Sequence, residues 1–155
     1  MTEIVVRRMR KADLPVVSEL SMLANPHAEK AKYRTHLEEE LRGNPGMAFV
    51  AVEDAKVVGY VMGAVHGSYA VLEDIAVDEA HQHRGIGTML LEAELKASKS
   101  AASKIIVAQV HYKCASAIPF YYEHGFRISG VCRNFFGLGH DAVILELLLS
   151  KTGLT

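Results

Sequence analysis

The chain has 155 residues, half of them apolar and 23% charged, with a formal net charge of −1 at neutral pH. This length supports one domain with its own core, and the near-zero charge gives no field to draw nucleic acid or an anionic membrane. No apolar run approaches the ~20 residues of a membrane helix, and no N-terminal apolar stretch suggests a signal peptide. Cys114 and Cys132 lie far apart and form no C-x-x-C, which fits a reduced, cytoplasmic chain. A single domain over residues 1–150 is expected, with a frayed tail at 151–155.

Ile4 to Met9 begins with β-branched residues and reads as a first strand. Asp13 before Leu14-Pro15 reads as a helix N-cap, and Val16, Val17, Leu20 and Leu23 keep helical spacing up to Asn25-Pro26. A second helix, from His27 to Arg42, is mostly polar and carries Leu37 and Leu41; Gly43-Asn44-Pro45-Gly46 ends it. Its polarity reads first as a solvated face, and alternatively as a wall of a binding site. Met47 to Val52 and Lys56 to Val65 read as an antiparallel hairpin around Glu53-Asp54-Ala55, followed by a strand from Tyr69 to Val77.

The chain turns on His81-Gln82-His83-Arg84-Gly85-Ile86-Gly87-Thr88, between that strand and a helix rich in Leu, Ala, Glu and Lys. Ile86, Leu90, Ala93 and Ala97 mark its buried stripe. A strand, a glycine-containing loop and a helix start form a phosphate-binding geometry, since unpaired amides and the helix dipole favour an anion. Arg84 adds a planar cation suited to phosphate oxygens. The loop is not a dinucleotide fingerprint, whose third glycine would fall at Leu90, nor a triphosphate loop, which needs Gly-Lys-Ser/Thr.

Lys104 to His111 reads as a buried strand, parallel to the one before the loop and joined to it by a right-handed crossover. Ala115 to His124 is a short helix closed by Gly125, and Phe126 to Val131 and Asp141 to Leu148 are the last strands. The sum is a mixed sheet covered by helices, an α/β or α+β sandwich. His81, His83, His124 and His140 lack a known metal-ligand spacing, so no metal is expected. Cys114 has no indicated partner beyond nearby His111, which ranks it low as a nucleophile.

Gln82-x-x-Gly85-x-Gly87 resembles the acyl-CoA pyrophosphate loop of the GNAT (general-control-type) N-acetyltransferase superfamily. Arg7 with Asp13, Val57 to Tyr60, and Ala117-x-x-x-Tyr121-x-x-x-Gly125-Phe126 resemble further parts of it, in order, over about Ile4 to Leu149. The resemblance implies a mostly antiparallel sheet with a central splayed parallel pair and helices on both faces. It implies acetyl-CoA as acyl donor, with pantetheine along Ile75, Ala76 and Val77 and pyrophosphate on the amides of Gln82, His83, Arg84, Gly85, Ile86, Gly87 and Thr88. The reaction implied is direct attack of a primary amine on the thioester, with no covalent enzyme intermediate.

Such a reaction needs a base, because an alkylamine is mostly protonated at neutral pH, and gains from an acid for the departing thiolate. Tyr121 stands at the family's usual acid position; the alternative is a core aromatic with a satisfied hydroxyl. Glu73 is the first candidate base: strand alternation gives it the face of Ile75 and Val77 and turns Asp74 the other way, and the resemblance implies a base at such a position. Its alternative is a structural carboxylate. His111 is the second candidate, against a packing role.

Cys132 to Ile144, with Phe135-Phe136 and a Gly-His-Asp-Ala stretch, resembles the protein alpha-amine acetyltransferases, including those acting on ribosomal proteins. The chain departs from that branch at Gln109, where a carboxylate is usual, and at Cys114, where asparagine is usual. The acceptor is therefore a peptide or protein N-terminus or a small amine. A non-catalytic acyl-CoA-binding regulatory module is the alternative, and a homodimer is an expectation by analogy.

Overall fold

The computed structural model describes residues 2–114 and 116–149. The expected helix start at Ala115, the domain's end positions Met1 and Ser150, and the expected frayed tail lie outside the described residues. Within them, a seven-stranded mixed sheet runs in the order β1-β2-β3-β4-β5-β7-β6. Its strands are β1 (Val5–Arg8), β2 (Ala48–Glu53), β3 (Lys56–His66), β4 (Tyr69–Val77), β5 (Ile105–His111), β6 (Arg127–Cys132) and β7 (Ala142–Leu148). All neighbours are antiparallel except β4 and β5. The helices are α1 (Leu14–Ala24), α2 (Lys30–Gly43), α3 (Ile86–Ser100) and α4 (Ala117–Glu123).

Two apolar clusters, one on each face, account for the sandwich. Leu14, Val17 and Leu20 of α1 and Leu37 of α2 pack with Val50, Tyr60, Met62 and Ala76. Ile86, Leu90 and Leu91 of α3 and Tyr121 of α4 pack with Val61, Leu72, Ile106 and Leu145 on the other side. Each fully buried aliphatic side chain contributes roughly 1.5–3 kcal/mol by leaving water. Helices thus cover both faces, as the resemblance implied.

Several local expectations change. On α1, Leu14, Val17 and Leu20 form the buried row, whereas Val16 and Leu23 point outward. Asp13 takes the N-cap position of α1 as expected, but its carboxylate makes no capping bond there; it turns back to a bidentate pair with Arg7 (2.8 and 2.9 Å) and accepts the Arg10 amide at 2.7 Å. That pair ties β1 to the start of α1 and holds the carboxyl below its usual range. Helix α2 begins at Lys30 rather than His27, since His27 leaves the chain path to stack on His111 at 4.6 Å. The α3 stripe is wider than expected: Leu91, Glu94 and Ser98 are buried, while Ala93 and Ala97 are only partly so. The β2–β3 turn places Asp54 and Ala55 at φ 51° and 63°, giving the tight hairpin.

One irregularity reorganises β4. Met62 of β3 faces Asp74, but the next residue, Gly63, faces Leu72, so Glu73 is an extra residue in the ladder. The bulge resets the alternation. Leu72, Ile75 and Val77 belong to the α3 side, while Glu73 and Asp74 both reach α2. The expectation that Glu73 shares a face with Ile75 and Val77, with Asp74 opposed, is therefore corrected by this single added residue. Glycine is needed at position 63 because a Cβ there would lie 2.5 Å from the Val71 carbonyl oxygen.

Glu94 of α3 closes on the same place, with Oε2 3.0 Å from where that Cβ would stand. It is fully buried, neither carboxyl oxygen has a partner among the described residues, and burial raises its pKa well above the ordinary value. A folded-state pKa above the unfolded one means the native state holds the extra proton, so this group's contribution falls as pH rises past about 4.3. Glu94→Gln should therefore gain stability relative to the parent as pH rises from 5 to 8, by at most about 1.4 kcal/mol per pH unit. Urea midpoints measured across that range check it; a constant difference would contradict a protonated native Glu94.

Candidate active site

The parallel pairing of β4 with β5 runs only from Tyr69–Leu72 against Ile105–Ala108. Beyond Leu72 the strands splay. Asp74 to Val77 stay paired to β3 on one edge, while the other edge of Glu73 to Val77 faces a cleft of about 620 Å³. Gln109, Val110 and His111 line the opposite wall, and Phe120 and Tyr121 of α4 line another. A strand edge with unpaired backbone groups is a template for an extended ligand arm.

The cleft continues onto the start of α3, where His81, Gln82, His83, Gly85, Ile86, Gly87 and Thr88 line it. Gly85 is the N-cap with φ 81°, a left-handed conformation that costs an L side chain, and its carbonyl accepts the Met89 amide at 3.1 Å. The first amides of this 15-residue helix have no intrahelical acceptor by geometry and carry the positive dipole end. Gln82 fixes the loop by donating its side-chain amide to the Val77 carbonyl at 3.1 Å. Ile75, Ala76, Val77, Gln82, His83, Gly85, Ile86, Gly87 and Thr88 are thus brought to one cleft.

Arg84 is placed differently. It does not line the cleft, and its guanidinium forms a fork with Glu53 of β2 at 3.2 and 2.5 Å, with His81 also near Glu53 at 3.5 Å. The arginine anchors the loop to the β2–β3 hairpin, and its side chain reaches a phosphate only by exchanging that partner. Nothing in the order of residues marks Glu53 as that partner; only the hairpin's fold brings it there.

Tyr121 is buried, yet its ring lies on the cleft wall, edge-on to Phe126 at 5.1 Å. Among the described residues its hydroxyl makes no hydrogen bond, and burial together with the Asp74 charge raises its pKa well above that of a free phenol. It therefore carries its proton at any physiological pH and has a free donor to offer. The free donor on the cleft wall is what an acid role needs, whereas the raised pKa makes the phenol a weaker acid.

The two β4 carboxylates differ. Asp74 is buried; its Oδ1 accepts from the Asn25 side chain at 2.9 Å and its Oδ2 from the Tyr33 hydroxyl. Burial pushes it up to about 6, against the lowering effect of those two donors. Asp74 ties the end of α1 and the first turn of α2 to the cleft floor. Glu73 is only partly buried, lines the cleft, and lies 3.4 Å from the imidazole of His36. The polar helix α2 is accordingly not a solvated face on this side, because Tyr33 and His36 reach the carboxylates.

His111 lines the cleft with both ring nitrogens engaged. Its Nδ1 accepts the Lys113 amide at 3.1 Å, which puts the proton on Nε2, and Nε2 donates to His140 Nδ1 at 2.9 Å. A neutral His111 so held has no free lone pair for a substrate proton. Burial and His140 lower its pKa further. His27, His140 and Phe136 pack round it, a cluster that joins the α1–α2 loop to the β6–β7 loop. Sequence reasoning missed His27, Asn25, Tyr33 and His36, which belong to elements distant along the chain. Cys114 and Cys132 are both free, and burial raises the Cys114 thiol, which argues against a nucleophile there.

Comparison with known proteins agrees with this geometry. Residues 14–126 match the Acetyltransferase (GNAT) family. An N-alpha-acetyltransferase of Sulfurisphaera tokodaii is 30% identical over 153 residues, covering 90% of each chain. A [ribosomal protein bS18]-alanine N-acetyltransferase of Salmonella typhimurium is 30% identical over 144 residues, covering 86% of this chain and 97% of its own. Among solved structures, Ard1 from Thermoplasma volcanium superposes with a TM-score of 0.87 at 20% identity, over 96% of this chain and 99% of its own. A GNAT family acetyltransferase from Elizabethkingia anophelis with acetyl-CoA bound gives 0.76 at 22%, over 94% and 97%. The splayed β4–β5 pair, the helix-start loop and the matched residues lead to one statement: this chain belongs to the GNAT acetyltransferase family.

Proposed function

We propose that the protein transfers an acetyl group from acetyl-CoA directly to a primary amine, with a peptide or protein N-terminus as the favoured acceptor. The observation that carries this reading is the cleft itself. An unpaired β4 edge leads from a helix N-terminus to a protonated Tyr121 hydroxyl without a partner among the described residues, with Glu73 on the β4 wall. The donor's arm would add along Ile75 to Val77, and its pyrophosphate would take the amides at the start of α3. A bound structure with acetyl-CoA in a neighbour of the same fold supports the donor. The relatives named for N-alpha and ribosomal-protein-alanine acetylation support the acceptor.

The chemistry divides among few residues. Glu73, open to the cleft, takes the proton of the incoming ammonium directly or through water. The amine nitrogen attacks the thioester carbonyl, and a β4 backbone N–H holds the developing oxyanion. Tyr121 gives its proton to the departing sulfur as the tetrahedral adduct collapses, and the second proton shed by the amine nitrogen restores Tyr121 through water. Asp74, with both oxygens occupied, holds α1 and α2 as the acceptor wall, and His111 holds His140 and His27 in the same role.

Tyr121→Phe removes one hydroxyl from a packed ring. It should lower kcat about 100-fold or more, the usual scale for a lost general acid, while leaving the Kd for CoA unchanged. Thiol-release kinetics beside calorimetric CoA binding separate the two; an unchanged kcat would remove Tyr121 from the acid role. Gly85→Ala forces a side chain into the left-handed region, costing about 1–2 kcal/mol in the loop conformation that presents the amides. CoA affinity should fall roughly 5- to 30-fold, and dephosphorylated pantetheine should be affected less; equal losses would contradict pyrophosphate binding at this helix start. The acceptor is tested by acetyl-CoA-dependent thiol release over short peptides and small amines. A response that disappears when the peptide N-terminus is blocked supports the reading, and one confined to small amines overturns the peptide acceptor.

A further inference from the structure

His36 and Glu40 stand one turn apart on α2, so their side chains share a face, and that face looks onto the β4 bulge. The extra residue of the bulge, Glu73, meets them there. One donor atom from each of the three lies within 4.8 Å of the others. The His36 Nε2 to Glu73 Oε2 separation of 3.4 Å matches the ~3.3 Å edge of a tetrahedron built on metal bonds of about 2.0–2.1 Å. The ring of His36 is braced by Tyr33 at 5.3 Å, which is itself anchored to Asp74.

A second observation shows that the trio is incomplete as it stands. Glu40 Oε2 is shielded from solvent and has no partner among the described residues. A carboxylate oxygen that has lost water and gained no donor is costly, and Glu73 adds a like charge beside it.

We infer that His36, Glu40 and Glu73 form a binding site for a zinc-class divalent cation between α2 and the β4 bulge, beside the cleft wall that Glu73 lines. Imidazole nitrogen and carboxylate oxygen are both donors that zinc takes, and three protein ligands leave its fourth position open. Magnesium and calcium prefer all-oxygen shells and are the poorer fit. A bound cation joins α2 to β4 and occupies Glu73. That last consequence rests on the transfer reading, whereas the binding itself does not.

The test therefore reads binding and not turnover. Zn²⁺ titrated into the full chain by calorimetry, and Co²⁺ followed by its visible absorption, should each show one site, with the strong bands of a four-coordinate ion for Co²⁺. His36→Ala and the near-isosteric Glu40→Gln should each weaken Zn²⁺ by at least about 10-fold, with CoA affinity and thermal midpoint retained as evidence of an intact fold. No uptake of either ion would overturn the assignment. So would uptake that survives both substitutions, or that is lost instead in His140→Ala, since the cation would then sit on the His27–His111–His140 cluster.

Discussion

The early end of one strand pairing governs this molecule. Four residues of β4 pair with β5 in parallel, and then the two strands part. A strand that loses its neighbour exposes amides and carbonyls that must find partners elsewhere, because unpaired backbone groups removed from water are costly. Here they face a cleft wide enough for water or an extended ligand. Everything around the cleft serves to keep it open. The α3 start forms one rim, α4 sets Phe120 and Tyr121 into the gap, and β7 continues the sheet beyond β5 so that β5 need not close back on β4.

Electrostatics divides the cleft into two ends. The donor end is made of backbone dipoles and carries little fixed charge, with Arg84 held by Glu53. The other end concentrates ionisable side chains: Glu73 and Asp74 on the wall, His36 against Glu73 from the α2 side, and beyond them the three packed imidazoles. An anionic donor and a cationic acceptor would thus meet fields of opposite character about the same reacting point. Asp74 belongs to the second end by position, yet its two hydrogen bonds assign it to holding the helices.

Much of the architecture was legible because it is local. Strand β4 was bounded at Tyr69 and Val77 by turn residues on both sides, and the phosphate-type loop was plain from Gln82, Gly85 and Gly87 between a strand and a helix. The cleft gathers all the expected donor-side residues except Arg84, whose side chain a long-range ion pair diverts. What stayed hidden was non-local. Strict alternation gives a strand residue its face, but a bulge depends on how the partner strand is registered, and nothing near Glu73 announces that Gly63 will skip it. The polar face of α2 was misread for the same reason: polarity says that a side chain wants water or a partner, and only the fold says which. His111 shows the limit for single residues, since its availability as a base depends on Lys113 and His140.

The β4 bulge has a meaning for how such a site changes over time. A substitution alters one side chain, but an added or lost residue within an ordinary strand inverts every side chain beyond it. At this bulge the inversion has already been absorbed. Losing one residue between Leu72 and Ile75 would restore a regular ladder opposite Met62 and Gly63 and leave Ile75 to Val77 on their present side. It would remove one of the two adjacent carboxylates. Chain length at this one spot is thus a variable independent of the donor wall, and the acceptor end can gain or shed a charge by a single codon while the rest of the strand keeps its orientation.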